Sequence, residues 1–215
     1  MTLLGPREKE YVQKELDGLQ RGVALVVFSD GRSEASGALE TLAAELAEAV
    51  PSLTVRTAPS TGLEAERFGI EGRAPALALV PEGAGEGPAN GIRFFGFPGG
   101  YEFNSLLDAI RRVANADPGV DAEMLAGLLA LEEPLHLQVF VTATCPYCPR
   151  MVQLAHRMAL ASPLVRGDMV DATEFPKLAE LYDVQGVPLT VINGRSALSG
   201  AVPEKRMLAE IRGRG

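Results

Sequence analysis

The chain has 215 residues, 47% of them apolar and 22% charged, a composition typical of a globular protein rather than a disordered one. Its length fits one large domain or two small ones. The formal net charge of −8 disfavours nucleic-acid binding, because acidic side chains repel phosphates. The continuous apolar runs reach six to eight residues, whereas a membrane-spanning helix needs about 20. The charged stretch 6–14 does not resemble a signal peptide, so we expect a cytoplasmic protein with no nucleic-acid or membrane partner.

Helical periodicity, apolar runs and turn residues predict the elements of the first half of the chain. In chain order they are a helix that ends at Leu19, a strand at 23–28, a helix at 38–50, a strand at 53–56, a short helix at 62–68, strands at 76–80 and 92–97, and a helix at 101–113. The segment 81–90 is rich in glycine and acidic residues and is predicted to be a turn between two strands. This order predicts an α/β unit.

A similar order recurs after the turn Asp117-Pro118-Gly119, which is a predicted linker. The later elements are a helix at 122–131, a strand at 135–141, a helix at 149–160, a strand at 168–170, a helix at 175–182, strands at 189–192 and 197–200, and a helix at 204–211. We therefore predict two domains, at 1–116 and 117–215.

The spacing of particular residues indicates that the two halves are copies of one domain. Pro75 follows Phe28 by 47 residues, and Pro188 follows Phe140 by 48 residues. Each phenylalanine lies at or near the end of a predicted strand, and each proline immediately precedes another strand. An internal duplication explains this agreement, and the alternative is a pair of unrelated α/β domains.

The two cysteines of the chain lie in the motif Cys145-Pro146-Tyr147-Cys148, between a predicted strand and a predicted helix. Free N–H groups and the dipole at a helix start favour an anion, so this position is expected to lower the pKa of the Cys145 thiol. The offset of three residues brings Cys148 close enough to close a small disulfide ring. Pro146 has no N–H to leave unpaired at the helix entry, and Tyr147 offers a flat apolar face beside the sulfurs. The motif in this context predicts dithiol chemistry.

Two other roles for the cysteines follow from the residues alone. Free cysteines are common in protein cores, and Cys145 and Cys148 fit such a role. A structural zinc site needs two further ligands, for which the chain offers only His136 and His156. Neither histidine lies at the spacing of a zinc finger or zinc ribbon, so we expect no metal.

Segments from both halves carry a resemblance to the two-unit protein disulfide oxidoreductases of thermophiles, a glutaredoxin-like family with the thioredoxin fold. These segments are 73–75, 95–103, 139–149, 167–171, 186–188 and 200–205. The chain is also similar in layout to the N-terminal domain of the flavoprotein alkyl hydroperoxide reductases. The resemblance implies an α/β protein of two tandem thioredoxin-like domains, each with a central mixed β-sheet flanked by helices.

The resemblance further implies a substrate site beside the dithiol. In this fold the proline at the position of Pro188 is cis and faces the two cysteines. The main chain of Val187 can then pair with an extended substrate, and Pro146 and Tyr147 belong to the same substrate-binding site. The alternative for Pro188 is an ordinary turn proline at the start of a strand.

The first half departs from the family at the corresponding place. Ser33 and Ser36 occupy the positions that match Cys145 and Cys148, and serine hydroxyls cannot form a disulfide. Pro75 is retained. We therefore expect a degenerate first unit without redox chemistry, as in the hydroperoxide reductase N-terminal domain, where one half alone is redox-active.

The expected activity is thiol–disulfide exchange on disulfide-containing proteins, with no metal or organic cofactor. A flavoprotein of the thioredoxin-reductase kind is the expected electron donor. Two alternatives are a dedicated electron carrier to a peroxiredoxin and a non-catalytic binding or scaffold module. Glutathione use is not expected, because Val187 replaces the threonine that glutaredoxins carry before this proline, and Gly200-Ala201 provides no acidic pair.

Three further groups of residues have open roles. Val139 occupies the position of the buried acid of thioredoxins, and Asp171 and Glu174 are candidates for a proton relay or are simply solvated acids. The densest aromatic cluster consists of Phe94, Phe95, Phe97 and Tyr101. These rings are predicted either to fill the first unit's own core or to cover a contact with the second unit or a partner.

Overall fold

The computed structural model describes residues 2–84 and 90–213. Its strands are β1 (Val23–Ser29), β2 (Leu53–Pro59), β3 (Ala76–Pro81), β4 (Ile92–Phe95), β5 (Leu135–Val141), β6 (Val165–Asp171), β7 (Leu189–Ile192) and β8 (Ser196–Ser199). Its helices are α1 (Pro6–Glu15), α2 (Glu34–Ala49), α3 (Leu63–Phe68), α4 (Glu102–Asn115), α5 (Ala122–Leu129), α6 (Cys148–Ala161), α7 (Pro176–Leu181) and α8 (Glu204–Arg212). No helix in these ranges is both long and apolar enough to cross a membrane.

All the predicted helices and strands are present, and four of them differ clearly in their bounds. Helix α2 begins at Glu34 rather than at Ala38, and strand β2 extends to Pro59 rather than to Arg56. Helix α1 ends at Glu15 rather than at Leu19, and Gly18 beyond it adopts a left-handed φ of +70°. Strand β6 is longer than the predicted 168–170, because it pairs with β5 along its whole length and with β4 over residues 167–170. The predicted turn at 81–90 falls partly outside the described residues, which omit 85–89.

The strands form one mixed sheet in the order β2-β1-β3-β4-β6-β5-β7-β8. The two halves repeat one pattern: β1 is parallel to β2 and antiparallel to β3, and β5 is parallel to β6 and antiparallel to β7. Phe28 pairs with Ala76, the residue after Pro75, and Phe140 pairs with Leu189, the residue after Pro188. The spacing that indicated a duplication therefore corresponds to the same strand register in both halves.

The two sheets expected from the sequence are joined into one, because β4 of the first half pairs in parallel with β6 of the second. Each of these strands would otherwise be an edge with unpaired main-chain groups. Gly91 makes the approach possible, since a Cβ there would lie 2.1 Å from the carbonyl oxygen of Val165. The α/β class is as predicted, and the division at 116/117 stays a prediction.

Side chains from both halves pack together across this seam. The rings of Phe94 and His156 lie 4.6 Å apart, and those of Phe95 and Phe175 lie 6.1 Å apart. Phe94 and Phe95 are fully buried, whereas Tyr101 is 48% exposed. The aromatic cluster therefore divides: two of its rings cover the contact with the second half, and Tyr101 reaches the surface.

The helices cover the two faces of the sheet unequally. Residues of α1, α2, α4, α5, α6 and α8 contribute to the larger apolar core on one face, and the short helices α3 and α7 pack on the other. Helix α4 of the first half packs against α6 of the second half, which carries the second cysteine. The first half is thus in contact with the redox helix.

Candidate functional site

Cys145 and Cys148 are joined by a disulfide in the turn between β5 and α6. The N–H of Cys145 donates to the carbonyl of Thr142 across 3.1 Å, which closes this turn. Helix α6 begins at Cys148, with Tyr147 as its N-cap residue and Pro149 in its first turn. Cys145 therefore lies three residues before the helix, and Pro149, rather than Pro146, is the proline of the first helical turn.

The two sulfur-bearing residues differ in their access to solvent. Cys145 is 8% exposed and Cys148 is fully buried, while Pro146 and Tyr147 between them are exposed. A substrate can reach Cys145 before Cys148. This difference fits an attacking role for the first cysteine and a resolving role for the second, and no described contact tests the substrate role of Pro146 or Tyr147.

Val187 and Pro188 lie beside the disulfide. The carbonyl oxygen of Val187 is 3.8 Å from Sγ of Cys145, and the Val187–Pro188 peptide bond is cis, as the resemblance implied. The carbonyl of Pro188 accepts a hydrogen bond of 2.8 Å from the N–H of Gly200, which fixes this segment against the end of β8. Cys145, Cys148 and Val187 are thus brought together, whereas contact between Pro188 and Cys145 and substrate binding by Val187 and Pro188 remain predictions.

The degenerate site of the first half is a network of hydroxyl and carboxylate hydrogen bonds. Ser33 is the N-cap residue of α2, and its Oγ lies 2.9 Å from Oγ of Ser36. Oδ1 of Asp30 accepts hydrogen bonds from the N–H groups of Ser33 and Arg32, which hold the pKa of this carboxyl far below its usual value. The Ala74–Pro75 peptide bond is cis. Contact between Pro75 and the two serines stays a prediction.

Glu102 is a buried acid at the start of α4. Its position in the sequence did not indicate a role. Glu102 is the first residue of α4 and is 1% exposed. Neither of its carboxylate oxygens forms a hydrogen bond of normal geometry within the described residues, and the nearby Ser105 hydroxyl only partly opposes the effect of burial on the carboxyl pKa. Burial raises the pKa of Glu102 to about 7. The carboxyl therefore changes charge near neutral pH in a buried position at the start of α4.

The start of α4 is attached to the turn that precedes Cys145. The N–H of Tyr101 donates to the carbonyl of Ala143 across 3.1 Å. Gly100, with a φ of +56°, lies so close that a Cβ there would be 2.1 Å from the same carbonyl oxygen. The first half thus supplies main chain to the immediate surroundings of the dithiol, next to Glu102 in sequence.

The two candidate relay acids hold local structure at the same end of the sheet. Oε1 of Glu174 accepts the N–H of Phe97 across 2.7 Å, and burial raises the pKa of Glu174. Oδ1 of Asp171 accepts the N–H and the hydroxyl of Thr173 at 2.7 and 2.6 Å. These acids are hydrogen-bonded rather than simply solvated, and proton relay through them stays a prediction.

Each of the two histidines contacts a group other than a cysteine. Nε2 of His136 lies 2.6 Å from Oδ2 of Asp168, and Nε2 of His156 lies 3.3 Å from the carbonyl oxygen of Arg93. Burial lowers the pKa of His156 to about 4. Across residues 2–84 and 90–213 there is no group of three or more His, Cys, Asp or Glu side chains that could hold a metal ion.

Comparisons with known proteins agree with this site. Residues 135–212 match the family model of the thioredoxin domain. The chain is 28% identical over 209 residues to a protein of Ferdinandcohnia aciditolerans named NADH dehydrogenase, a match that covers 97% of this chain and 37% of the relative. The chain thus spans little more than a third of that relative's length.

Two solved structures share the fold over almost the whole chain. The NTD_N/C domain of alkylhydroperoxide reductase from Enterococcus faecalis has a TM-score of 0.85 and 27% identity, covering 96% of this chain and 98% of that one. A protein disulfide oxidoreductase from Aeropyrum pernix has a TM-score of 0.88 and 24% identity, covering 100% and 94%. The predicted resemblance is confirmed: the chain has a thioredoxin-like fold with a Cys-x-x-Cys pair after the central strand β5.

Proposed function

We propose that the chain is a thiol–disulfide oxidoreductase that reduces or exchanges protein disulfides through Cys145 and Cys148. The observation that carries the proposal is the disulfide at the carboxyl end of β5, in which Cys145 is the more accessible cysteine and its Sγ lies 3.8 Å from the Val187 carbonyl oxygen. A purely structural disulfide needs neither a difference in accessibility between its two cysteines nor a main-chain acceptor beside one of its sulfurs. A reactive pair needs both features.

The reaction consists of two exchanges. The Cys145 thiolate attacks one sulfur of the substrate disulfide, forms a mixed disulfide, and releases the other substrate sulfur, which takes up a proton. Cys148 then loses its proton, attacks Sγ of Cys145, and releases the second substrate sulfur as a thiol. Two electrons pass from the protein dithiol to the substrate, and an external reductant must return them before the next cycle.

The two halves are proposed to have different tasks. Residues 117–215 carry the dithiol, and residues 1–116 form a unit in which Ser33, Ser36 and Pro75 mark a site that has lost its chemistry. The packing of α4 on α6 and the strand pair β4–β6 support a structural role for the first half. The cytoplasm is the proposed location.

A dedicated electron carrier is the second candidate function. The similarity to a domain of alkylhydroperoxide reductase favours it, because a chain that spans a third of a longer relative fits one module of an electron-transfer sequence. In this case a flavoprotein of the thioredoxin-reductase kind would reduce the Cys145–Cys148 disulfide, and the dithiol would pass the electrons to a peroxiredoxin. No resident cofactor is proposed for the chain itself.

Two assays test these proposals. Catalysed reduction of insulin by dithiothreitol separates an oxidoreductase from a binding or scaffold module, since a module leaves the uncatalysed rate unchanged. Reconstitution with the organism's own flavoprotein reductase and peroxiredoxin then separates a general reductase from a dedicated carrier. Fast peroxide turnover with slow insulin reduction identifies the carrier, and the reverse identifies the general reductase.

A further inference from the structure

Tyr101 is an exposed aromatic residue on a rigidly held segment beside the redox turn. Its N–H bonds the carbonyl of Ala143, and its neighbour Gly100 contacts the same oxygen. Its other neighbour, Glu102, is buried at the start of α4. The main chain on both sides is therefore fixed, yet the side chain of Tyr101 remains 48% exposed.

Tyr101 and Tyr147 border the same turn from different halves of the chain. Tyr147 lies between the two cysteines and is 70% exposed. The hydroxyl of Tyr11, the third exposed tyrosine, donates to Asn104, whereas in the described part of the chain the Tyr101 side chain has no such partner. An exposed tyrosine on a fixed main chain can bury a large ring area on binding at a small entropy cost.

We propose that Tyr101 is a specificity-determining residue, which contacts the polypeptide on one side of the substrate cystine while Tyr147 contacts it on the other. This inference rests on the proposed function. It names the substrate class as extended polypeptide segments with apolar or aromatic side chains beside the disulfide, rather than small aliphatic disulfides. The 3.8 Å separation of the Val187 carbonyl from Sγ of Cys145 gives such a segment a main-chain partner at the point of attack.

The inference gives the first half a direct part in substrate selection. Its own dithiol is replaced by Ser33 and Ser36, so it cannot exchange disulfides. Its segment at 99–102 nevertheless forms one border of the redox site. A single thioredoxin-like unit would lack this border, and would then bind the same polypeptide less tightly.

The test compares two substrates and three variants of the full chain. The substrates are insulin and bis(2-hydroxyethyl) disulfide, and the variants are Tyr101→Ala, Tyr101→Phe and the control Leu63→Ala. Leu63 is 81% exposed on α3 of the same half, away from the redox turn. We expect Tyr101→Ala to raise KM for insulin about tenfold with little change in kcat, as for an interface aromatic residue. Tyr101→Ala should reduce the small disulfide at the wild-type rate. Tyr101→Phe and Leu63→Ala should have wild-type kinetics on both substrates.

Three results would overturn the inference. Unchanged KM for insulin in Tyr101→Ala shows that the ring makes no contact with substrate. An equal loss on both substrates shows that the residue supports the dithiol's structure instead. A wild-type protein inactive on both substrates refutes the proposed function itself, and the inference with it, so the two failures are distinguishable.

Discussion

Arg93 of the first half and Asp168 of the second form a buried, bidentate ion pair between strands β4 and β6. Nε and Nη2 of Arg93 donate to the two carboxylate oxygens of Asp168 at 2.8 and 2.9 Å. Nη1 of Arg93 donates to the carbonyls of Phe68 and Gly69 at the end of α3. One guanidinium thus connects α3, β4 and β6, and this charge has no access to water if its partner is lost.

Asp168→Asn is therefore expected to lower the free energy of unfolding by about 3 kcal/mol, because it leaves the Arg93 charge buried without a counter-charge. Urea denaturation at neutral pH measures this loss. The matched control is Glu48→Gln, which removes one partner of the exposed Lys9–Glu48 pair and should change stability little. Equal effects of the two substitutions would show that the seam does not depend on this pair.

The raised pKa of Glu102 predicts that the folded chain becomes less stable as the pH rises. Burial raises the pKa of Glu102 from 4.5 to about 7 in the folded chain. The folded state therefore favours the protonated carboxyl. The contribution of this group to the free energy of unfolding is fully present below the unfolded pKa of 4.5 and is lost as the pH rises through about 7. The wild type should lose stability on the order of 3 kcal/mol from this group between pH 4.5 and 8.

Glu102→Gln removes this titrating group and so lacks its contribution, whereas Glu174, with its raised pKa, and His156, with its lowered pKa, titrate in both proteins and cancel in the comparison. Its stability should exceed that of wild type increasingly from pH 5 to pH 8 in urea denaturation. Asp168 does not interfere in this window: burial alone would raise its pKa, but Arg93 and His136 outweigh burial and hold the pKa below its usual value. The exposed Glu10→Gln serves as the control, and parallel pH profiles for wild type and Glu102→Gln would contradict the assignment.

The duplication and the dithiol were predictable from the sequence, because both depend on local patterns. Spacing from Phe28 to Pro75 and from Phe140 to Pro188 reflects strand register, which a sequence preserves. The single sheet was not predictable, since β4 and β6 pair across about 75 residues and Gly91 looks like any turn glycine. Glu102 was missed for a related reason: an acid in the first turn of a helix is ordinary, and its burial becomes visible only in the folded chain.

The burial of the two cysteines predicts different results from two serine substitutions. Cys145→Ser should abolish disulfide reduction, because it removes the more accessible of the two thiols, which is the proposed nucleophile. Cys148→Ser should accumulate a mixed disulfide between Cys145 and substrate, because no second thiol can resolve it. Intact-mass measurement after mixing with an oxidised peptide detects the adduct. An adduct on Cys145→Ser in place of Cys148→Ser would reverse the assignment of the two roles.

The degenerate site predicts that cysteines at its two serine positions will form a disulfide. Oγ of Ser33 and Oγ of Ser36 are 2.9 Å apart, and a sulfur pair needs only a small approach to reach about 2.0 Å. The double variant Ser33→Cys/Ser36→Cys should take up four alkyl groups when reduced and none after oxidation. Wild type should take up two alkyl groups when reduced and none after oxidation. Ser33→Cys alone should retain one reactive thiol after oxidation. Two free thiols in the oxidised double variant would contradict the predicted geometry.

A single-turnover reaction shows directly whether the Cys145–Cys148 dithiol exchanges disulfides with a polypeptide. The fully reduced chain is mixed with one equivalent of an oxidised polypeptide, quenched with an alkylating reagent, and both products are weighed by mass spectrometry. We expect Cys145 and Cys148 to become oxidised and take up no alkyl group, the polypeptide to take up two, and the mixed disulfide to appear only transiently. A chain that keeps both thiols while the polypeptide stays oxidised would contradict the claim that this dithiol exchanges disulfides.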